Sequence, residues 1–127
     1  MTGKYYIAID GDDVGRSIER LVLLNDGQGL SDFSTKYRTA IRWLTSVLID
    51  SLQGSALLSD GDSILIEVHT PSYSADKLAA LSEEFAQLSG HTVSIGIGDT
   101  MRRAYLALKL AKLSGKNQIR YYKELTD

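Results

Sequence analysis

Five aspartates occupy two short stretches of the chain. Asp10, Asp12 and Asp13 lie in IDGDDVG (residues 9–15), and Asp60 and Asp62 lie in SDGDS (59–63). A turn needs one Asp or Asn, not three carboxylates within four residues at the end of an apolar run. Carboxylates brought close do not both ionise cheaply unless a cation lies between them. Hard oxygen ligands of this kind suit Mg²⁺ or Mn²⁺, held by one or two carboxylates together with substrate phosphates. A pair of such ions activates an attacking hydroxyl and stabilises the leaving oxygen in phosphoryl or nucleotidyl transfer. Gly11 lets backbone approach closely, and its carbonyl is a candidate ligand. The competing reading is solvated turn residues. It is strongest for Asp60, since Asp-Gly is a favoured turn pair. It is weakest for Asp10, because no turn requires an acid inside a strand end. Asp12 and Asp13 divide between metal binding and capping of the next helix.

Cations come from the far end of the chain. In AYLALKLAKLSGKNQIRYY (104–122), Lys112 falls in the last turn of a helix and Lys116 just beyond its Gly115 stop. Either lysine alone is accounted for by the helix dipole. Beside a two-acid metal site, the two together point to a grip on a triphosphate.

Positioning these groups requires a defined order of elements. Residues 4–10 read as a buried strand ending at Asp10, and 14–24 as a helix with apolar residues at 14, 18, 21, 22 and 24. NDGQGLS (25–31) breaks it. Ser31 or Asp32 then caps a helix whose apolar positions 33, 37, 40, 41, 44, 47 and 48 form one face. Residues 55–68 have the form of a hairpin turning at Asp60-Gly61, a pair suited to a type I′ turn. Residues 74–90 read as a helix with 78, 81, 85 and 88 inward. HTVSIGIG (91–98) is a strand whose glycines allow backbone or ligand to come close. Asp99 or Thr100 caps a helix to Ser114, and 118–122 is a last strand. The heart of this order, βαββαβ, is the ferredoxin-like α+β arrangement. It predicts one antiparallel sheet with its helices on one face. The first strand and the hairpin strands are then central neighbours, with Asp10 facing Asp62.

The 127 residues suit a single domain spanning 1–127, and 43% hydrophobic content suffices for one core. A net charge of −2 argues against non-specific binding to duplex nucleic acid. The absence of cysteine excludes disulfides, a thiol nucleophile and zinc-thiolate sites. MTGKYYIAID lacks a signal-peptide pattern, and no apolar run reaches the roughly 20 residues of a spanning helix, so a cytoplasmic location is expected.

SIGIGD followed by ALKLAKLSGKNQIRYY resembles the end of a GGDEF-type nucleotide cyclase domain, and DGDS (60–63) stands where that family carries its hairpin signature. IDGDDVG is closer to the palm polymerase of the type III CRISPR large subunit. A chain of this length with only the palm resembles the minimal CRISPR polymerases, nucleotidyltransferases of anti-phage defence that make cyclic nucleotide signals. The resemblance implies a palm fold with an extra helix and a C-terminal strand. It makes Asp10, the Gly11 carbonyl and Asp62 metal ligands, and Lys112 and Lys116 triphosphate contacts, with Gly11 and Asp12 also at the nucleotide phosphates. Asp60 replaces the first glycine of the signature. Ser63 replaces its last acid, which leaves the second ion to Asp13, with Asp12 as the alternative. Lys116 in place of arginine keeps the charge and loses the bidentate geometry. Guanine-reading residues of the GGDEF type have no counterpart, so ATP is favoured. The implied reaction is attack of one nucleotide's ribose hydroxyl on another's α-phosphate, repeated to close a ring. That needs two substrates, hence a homodimer or larger assembly, and the signal implies a downstream effector, with a membrane-spanning protein as the candidate.

Four rivals differ in chemistry. A haloacid-dehalogenase-type phosphohydrolase would use Asp10 as nucleophile and Asp12 as acid/base; it expects a helix where SILIEV reads as a strand. An archaeal-type GTP cyclohydrolase shares the palm and its metals, and a degenerate palm would bind nucleotide without turnover. A receiver domain fits less well, because its phosphate-binding lysine should follow a strand directly. His69 and His91 are read as ordinary surface or core groups, Trp43 and the tyrosines mostly as core, and Arg16 as solvated. Arg102 and Arg103 sit in a first helical turn, where cations are mildly unfavourable.

Overall fold

A computed structural model describes residues 3–122. In the first strand, β1 (Lys4–Gly11), successive side chains point to opposite faces of the sheet, and that sorts the layers. Ile7 and Ile9 face one way, into a core with Ile64, Ile66, Ile95 and Ile97; Ala8 faces the other. Two helices follow β1, α1 (Val14–Leu23) and α2 (Gly27–Leu52), then a hairpin of β2 (Ser55–Asp60) and β3 (Ser63–His69). After α3 (Ala75–Ser89) come β4 (Val93–Gly98), α4 (Met101–Leu113) and β5 (Ile119–Tyr121). The sheet order is β2-β3-β1-β4-β5, with β1 antiparallel to both β3 and β4. This is the expected ferredoxin-like heart extended by one strand.

Two expectations about the layers are corrected. The sheet is mixed, since β5 runs parallel to β4. The helices also occupy both faces. Leu44, Leu48 and Leu52 of α2 and Phe85 of α3 cover the isoleucine face, whereas Ala104 and Leu108 of α4 pack on the Ala8 face. Side-chain size is the reason. A Cβ on Gly96 would lie 2.1 Å from the Leu108 backbone nitrogen, and one on Gly98 would lie 2.5 Å from that of Ala104. The β4 glycines therefore admit the backbone of α4 directly onto the strand.

Local departures have local causes. Helix α2 begins at Gly27 rather than after Ser31, because the Asp26 side chain accepts the Gly29 N–H at 2.9 Å and caps the helix early. The hairpin turns at Gly61-Asp62, one residue later than expected, with Asp60 paired to Ser63. Gly61 carries the positive φ of 60° and Asp62 does not, which is the pattern of a type II′ turn rather than I′. Only β3 of the hairpin is central; β2 is an exposed edge strand. The apolar stripe of α1 buries only Val14 and leaves Ile18 and Val22 exposed, and Leu88 of α3 is exposed as well. Among the described residues no helix is long and apolar enough to cross a membrane.

Candidate active site

Asp10, next to last in β1, lies on the face that α4 covers. The close seating of α4 on Gly96 and Gly98 brings its last turn over this strand end, and Lys112 reaches down into it. The Lys112 ammonium donates to the Gly11 carbonyl at 2.7 Å and to Asp12 Oδ1 at 2.9 Å, and lies 3.2 Å from Asp10 Oδ2. Residues a hundred positions apart thus form one charged cluster. Burial alone would lower the lysine's pKa, but hydrogen bonds to Asp12 and Asp10 outweigh it and hold the pKa above its ordinary 10.5.

Asp12, expected at the phosphates or on a second ion, is taken up inside the protein. It is 2% exposed and accepts four hydrogen bonds: Thr92 Oγ1 at 2.7 Å, Ser94 Oγ at 2.7 Å, Lys112 Nζ at 2.9 Å and the Asn117 N–H at 3.0 Å. Burial pushes its carboxyl pKa up, but these donors, Lys112 first, hold it below the ordinary 3.8. Four donors fill a carboxylate's accepting capacity. The carboxylate ties β4, the end of α4 and the following turn to the end of β1. Lys116 and Asn117 take left-handed φ values of 64° and 48° in that turn, which presents the Asn117 N–H to Asp12.

Asp62 does not stand opposite Asp10. The register puts Ser63 and Ser94 beside Asp10, and Ser63 Oγ donates to Asp10 Oδ1 at 2.8 Å. Asp62 is one residue further on, in the turn, where its carbonyl accepts the Gly11 N–H at 3.0 Å. The two carboxylates still feel one another. Burial, and then the charge of Asp10, raise the Asp62 pKa above its ordinary 3.8. A pair destabilised in this way, beside an inward carbonyl, fits a hard divalent cation. Among the described residues no group of three or more acidic, histidine or cysteine side chains gathers into a cage. A site of Asp10, Asp62 and the Gly11 carbonyl would therefore leave coordination positions to substrate oxygens, as Mg²⁺ sites commonly do.

Asp13 precedes α1 with φ 62° and makes no side-chain cap. It pairs with Lys116 at 2.6 Å on the surface, which holds its pKa below the ordinary value. Asp60 is exposed at the end of β2. Two cavities flank the cluster. One, of about 320 Å³, lies between α4 and the hairpin, with Asp10, Ser63 and Lys112 at its polar end and Leu58, Leu65 and Tyr105 along it. The other, of about 660 Å³, lies between α1, α2 and the turn, lined by Phe33, Tyr37, Arg38, Arg42 and Asp62 among others.

Sequence reasoning missed Thr92, Ser94 and Tyr37. The available signal was two hydroxyls in a strand that otherwise reads as apolar, and a tyrosine on the inner face of α2. The remaining polar groups find local partners. His91 Nε2 lies 2.7 Å from Ser17 Oγ. Arg103 pairs with Asp99 at 3.0 Å and stands over the Tyr122 ring, which offsets its own unfavourable place in the first turn of α4; Thr100 is the cap of that helix. The phosphohydrolase reading falls here, because the sheet around β1 is antiparallel, SILIEV is strand, and Asp12 is buried.

The fold is that of the nucleotide cyclase and polymerase palms. The GGDEF domain of DgcB from Caulobacter crescentus, in complex with c-di-GMP, superposes with a TM-score of 0.62 at 18% identity, covering 96% of this chain and 79% of that one. A bacterial light-regulated adenylyl cyclase gives 0.66 at 11%, covering 98% and 79%. The Csm1–Csm4 cassette in complex with cA4 gives 0.63 at 18%, covering 93% of this chain and 21% of that one. No curated protein matches the chain. Residues 6–122 match the minimal CRISPR polymerase domain (mCpol), and the chain belongs to that family.

Proposed function

We propose that this chain, acting as a single palm domain, is a divalent-metal-dependent nucleotidyltransferase. It joins nucleoside triphosphates, ATP foremost, into a cyclic di- or oligonucleotide signal for CRISPR-associated anti-phage defence. The observation that carries the reading is the meeting of Asp10, Asp62, the Gly11 carbonyl and Lys112 at one sheet end, within a palm of this family. Asp10, Asp62 and the Gly11 carbonyl would hold Mg²⁺ or Mn²⁺, and such an ion would supply charge stabilisation for the phosphoryl group and a lowered pKa at an attacking hydroxyl.

The residues divide the remaining work. Asp12 holds Lys112 at the strand end through a buried ion pair, so its ammonium is already in place when a triphosphate arrives. Lys116, on the rim, releases Asp13 to meet the outer phosphates, and Asp13 becomes the candidate contact for a second ion. The ribose hydroxyl oxygen of one nucleotide bonds to the α-phosphorus of another. The bond from that phosphorus to the bridging oxygen breaks, pyrophosphate leaves with the electron pair, and the hydroxyl proton passes to water. Repetition closes the ring. Two substrates meeting head to tail favour a homodimer or larger assembly, and the product addresses a nucleotide-sensing effector, for which a membrane-spanning partner is the proposal.

Incubation with each NTP and Mg²⁺ or Mn²⁺, followed by mass spectrometry, tests this. Pyrophosphate with a cyclic product from ATP is expected. A ring-opened guanine product would show the cyclohydrolase on the same palm, and bound nucleotide without turnover would show a degenerate one.

A further inference from the structure

The phenol oxygen of Tyr37 is the one buried side-chain polar atom among the described residues without a hydrogen-bond partner. The residue is 6% exposed, and its ring is fixed by stacking on Phe33 at 5.8 Å and by edge contacts to Phe85 at 5.8 Å and His91 at 6.0 Å. A buried hydroxyl left unpaired is destabilising, and a phenylalanine would fill the same volume without that cost. The ordinary expectation for such a group is a partner present in the working state.

The surroundings identify that partner. The missing side chain of Gly11 makes the space: a Cβ there would lie 2.1 Å from Tyr37 Oη and 3.1 Å from Asp62 Cβ. Oη and the Asp62 side chain therefore converge on one point. A phenol hydroxyl is protonated at neutral pH and so serves as a donor. Asp10 is already served by Ser63 and Lys112. Among the described residues the Asp62 carboxylate has no side-chain donor. Carboxylates that bind metal are commonly oriented by a further hydrogen bond from the protein.

We propose that Tyr37 is a positioning residue for Asp62, donating its hydroxyl to the carboxylate when that group turns to bind the divalent cation. One Asp62 oxygen is then held by Tyr37 and the other is directed at the ion. This rests on the proposed role of Asp62 as a metal ligand, which the test addresses separately.

Mn²⁺ binding, followed by electron paramagnetic resonance on the full chain, is compared for wild type, Tyr37→Phe, Asp62→Ala and the double variant. Thermal melting of the metal-free proteins is recorded alongside. The expected result is a loss of Mn²⁺ affinity of about five- to tenfold in Tyr37→Phe, the size of one hydrogen bond. Its metal-free melting temperature should be equal to or above wild type, and the substitution should have no effect in the Asp62→Ala background. Unchanged Mn²⁺ affinity in Tyr37→Phe, with affinity lost in Asp62→Ala, would overturn the role of Tyr37 alone. A drop in metal-free stability would also overturn it, by showing a purely structural hydroxyl. Full affinity in Asp62→Ala would instead remove the metal-ligand reading beneath it.

Discussion

Lys112→Met keeps the length and apolar stem of the side chain and removes its ammonium. That ammonium donates at 2.7 Å to Gly11 O and at 2.9 Å to Asp12 Oδ1. Deleting one partner of a buried ion pair costs about 3–5 kcal/mol, because the other charge remains buried. Asp12 keeps three of its four donors, and the Lys112 side chain is 24% exposed, so the expected cost is lower, about 2–3 kcal/mol. Urea unfolding at pH 7 reads this as a fall in midpoint at constant slope. The sign of the pH dependence follows from the two shifts. The lowered Asp12 contributes stability above its ordinary 3.8 and loses it as pH falls through the folded value. The raised Lys112 contributes below its ordinary 10.5 and loses it as pH rises through its folded value. The difference between variant and wild type should be level from about pH 4 to 10 and shrink on either side. In an Asp12→Asn background the same substitution should cost less than half as much. A loss under about 0.5 kcal/mol at pH 7, or the same cost with and without the Asp12 carboxylate, would refute the reasoning.

Three further outcomes follow from the same geometry. Asp62→Asn should abolish product by mass spectrometry yet raise the melting temperature at pH 7: a carboxyl whose folded pKa is raised destabilises the fold above that value, and the amide removes the charge. Lys116→Ala should leave the melting temperature unchanged, because its pair with Asp13 is on the surface, while weakening nucleotide binding in a titration calorimeter. Gly96→Ala should cost about 1–3 kcal/mol in urea unfolding and lose product as well, since its Cβ would meet the α4 backbone and lift Lys112 away from Asp10. Full activity in that variant would show that the seating of α4 does not position the lysine.

Much of the fold was legible because it is written in local periodicity. The apolar run of β1, the 3.6-residue spacing of α2 and the Thr100 cap depend on neighbours a few residues away. Boundaries set by side-chain capping shifted, as at Asp26, where one hydrogen bond extended a helix through two glycines. The α1 stripe has helical spacing, but burial depends on what lies opposite it, and little does.

By itself the sequence determined the order of elements, the identity of the acidic and basic residues, and the family likeness they carry. Only the tertiary structure decided which lone pairs remain open. The sequence sets Asp10 apart but does not divide Asp12 from Asp13. The pairing of β1 with β4 gives Asp12 to Thr92 and Ser94, eighty positions away, and the seating of α4 on Gly96 brings Lys112 to it. Asp62 stands apart for the same kind of reason: a turn shifted by one residue moves it to the face of Gly11 and Tyr37. A carboxylate's role depends on the donors and charges within a few ångströms, and chain spacing does not encode distances between segments that meet only on folding.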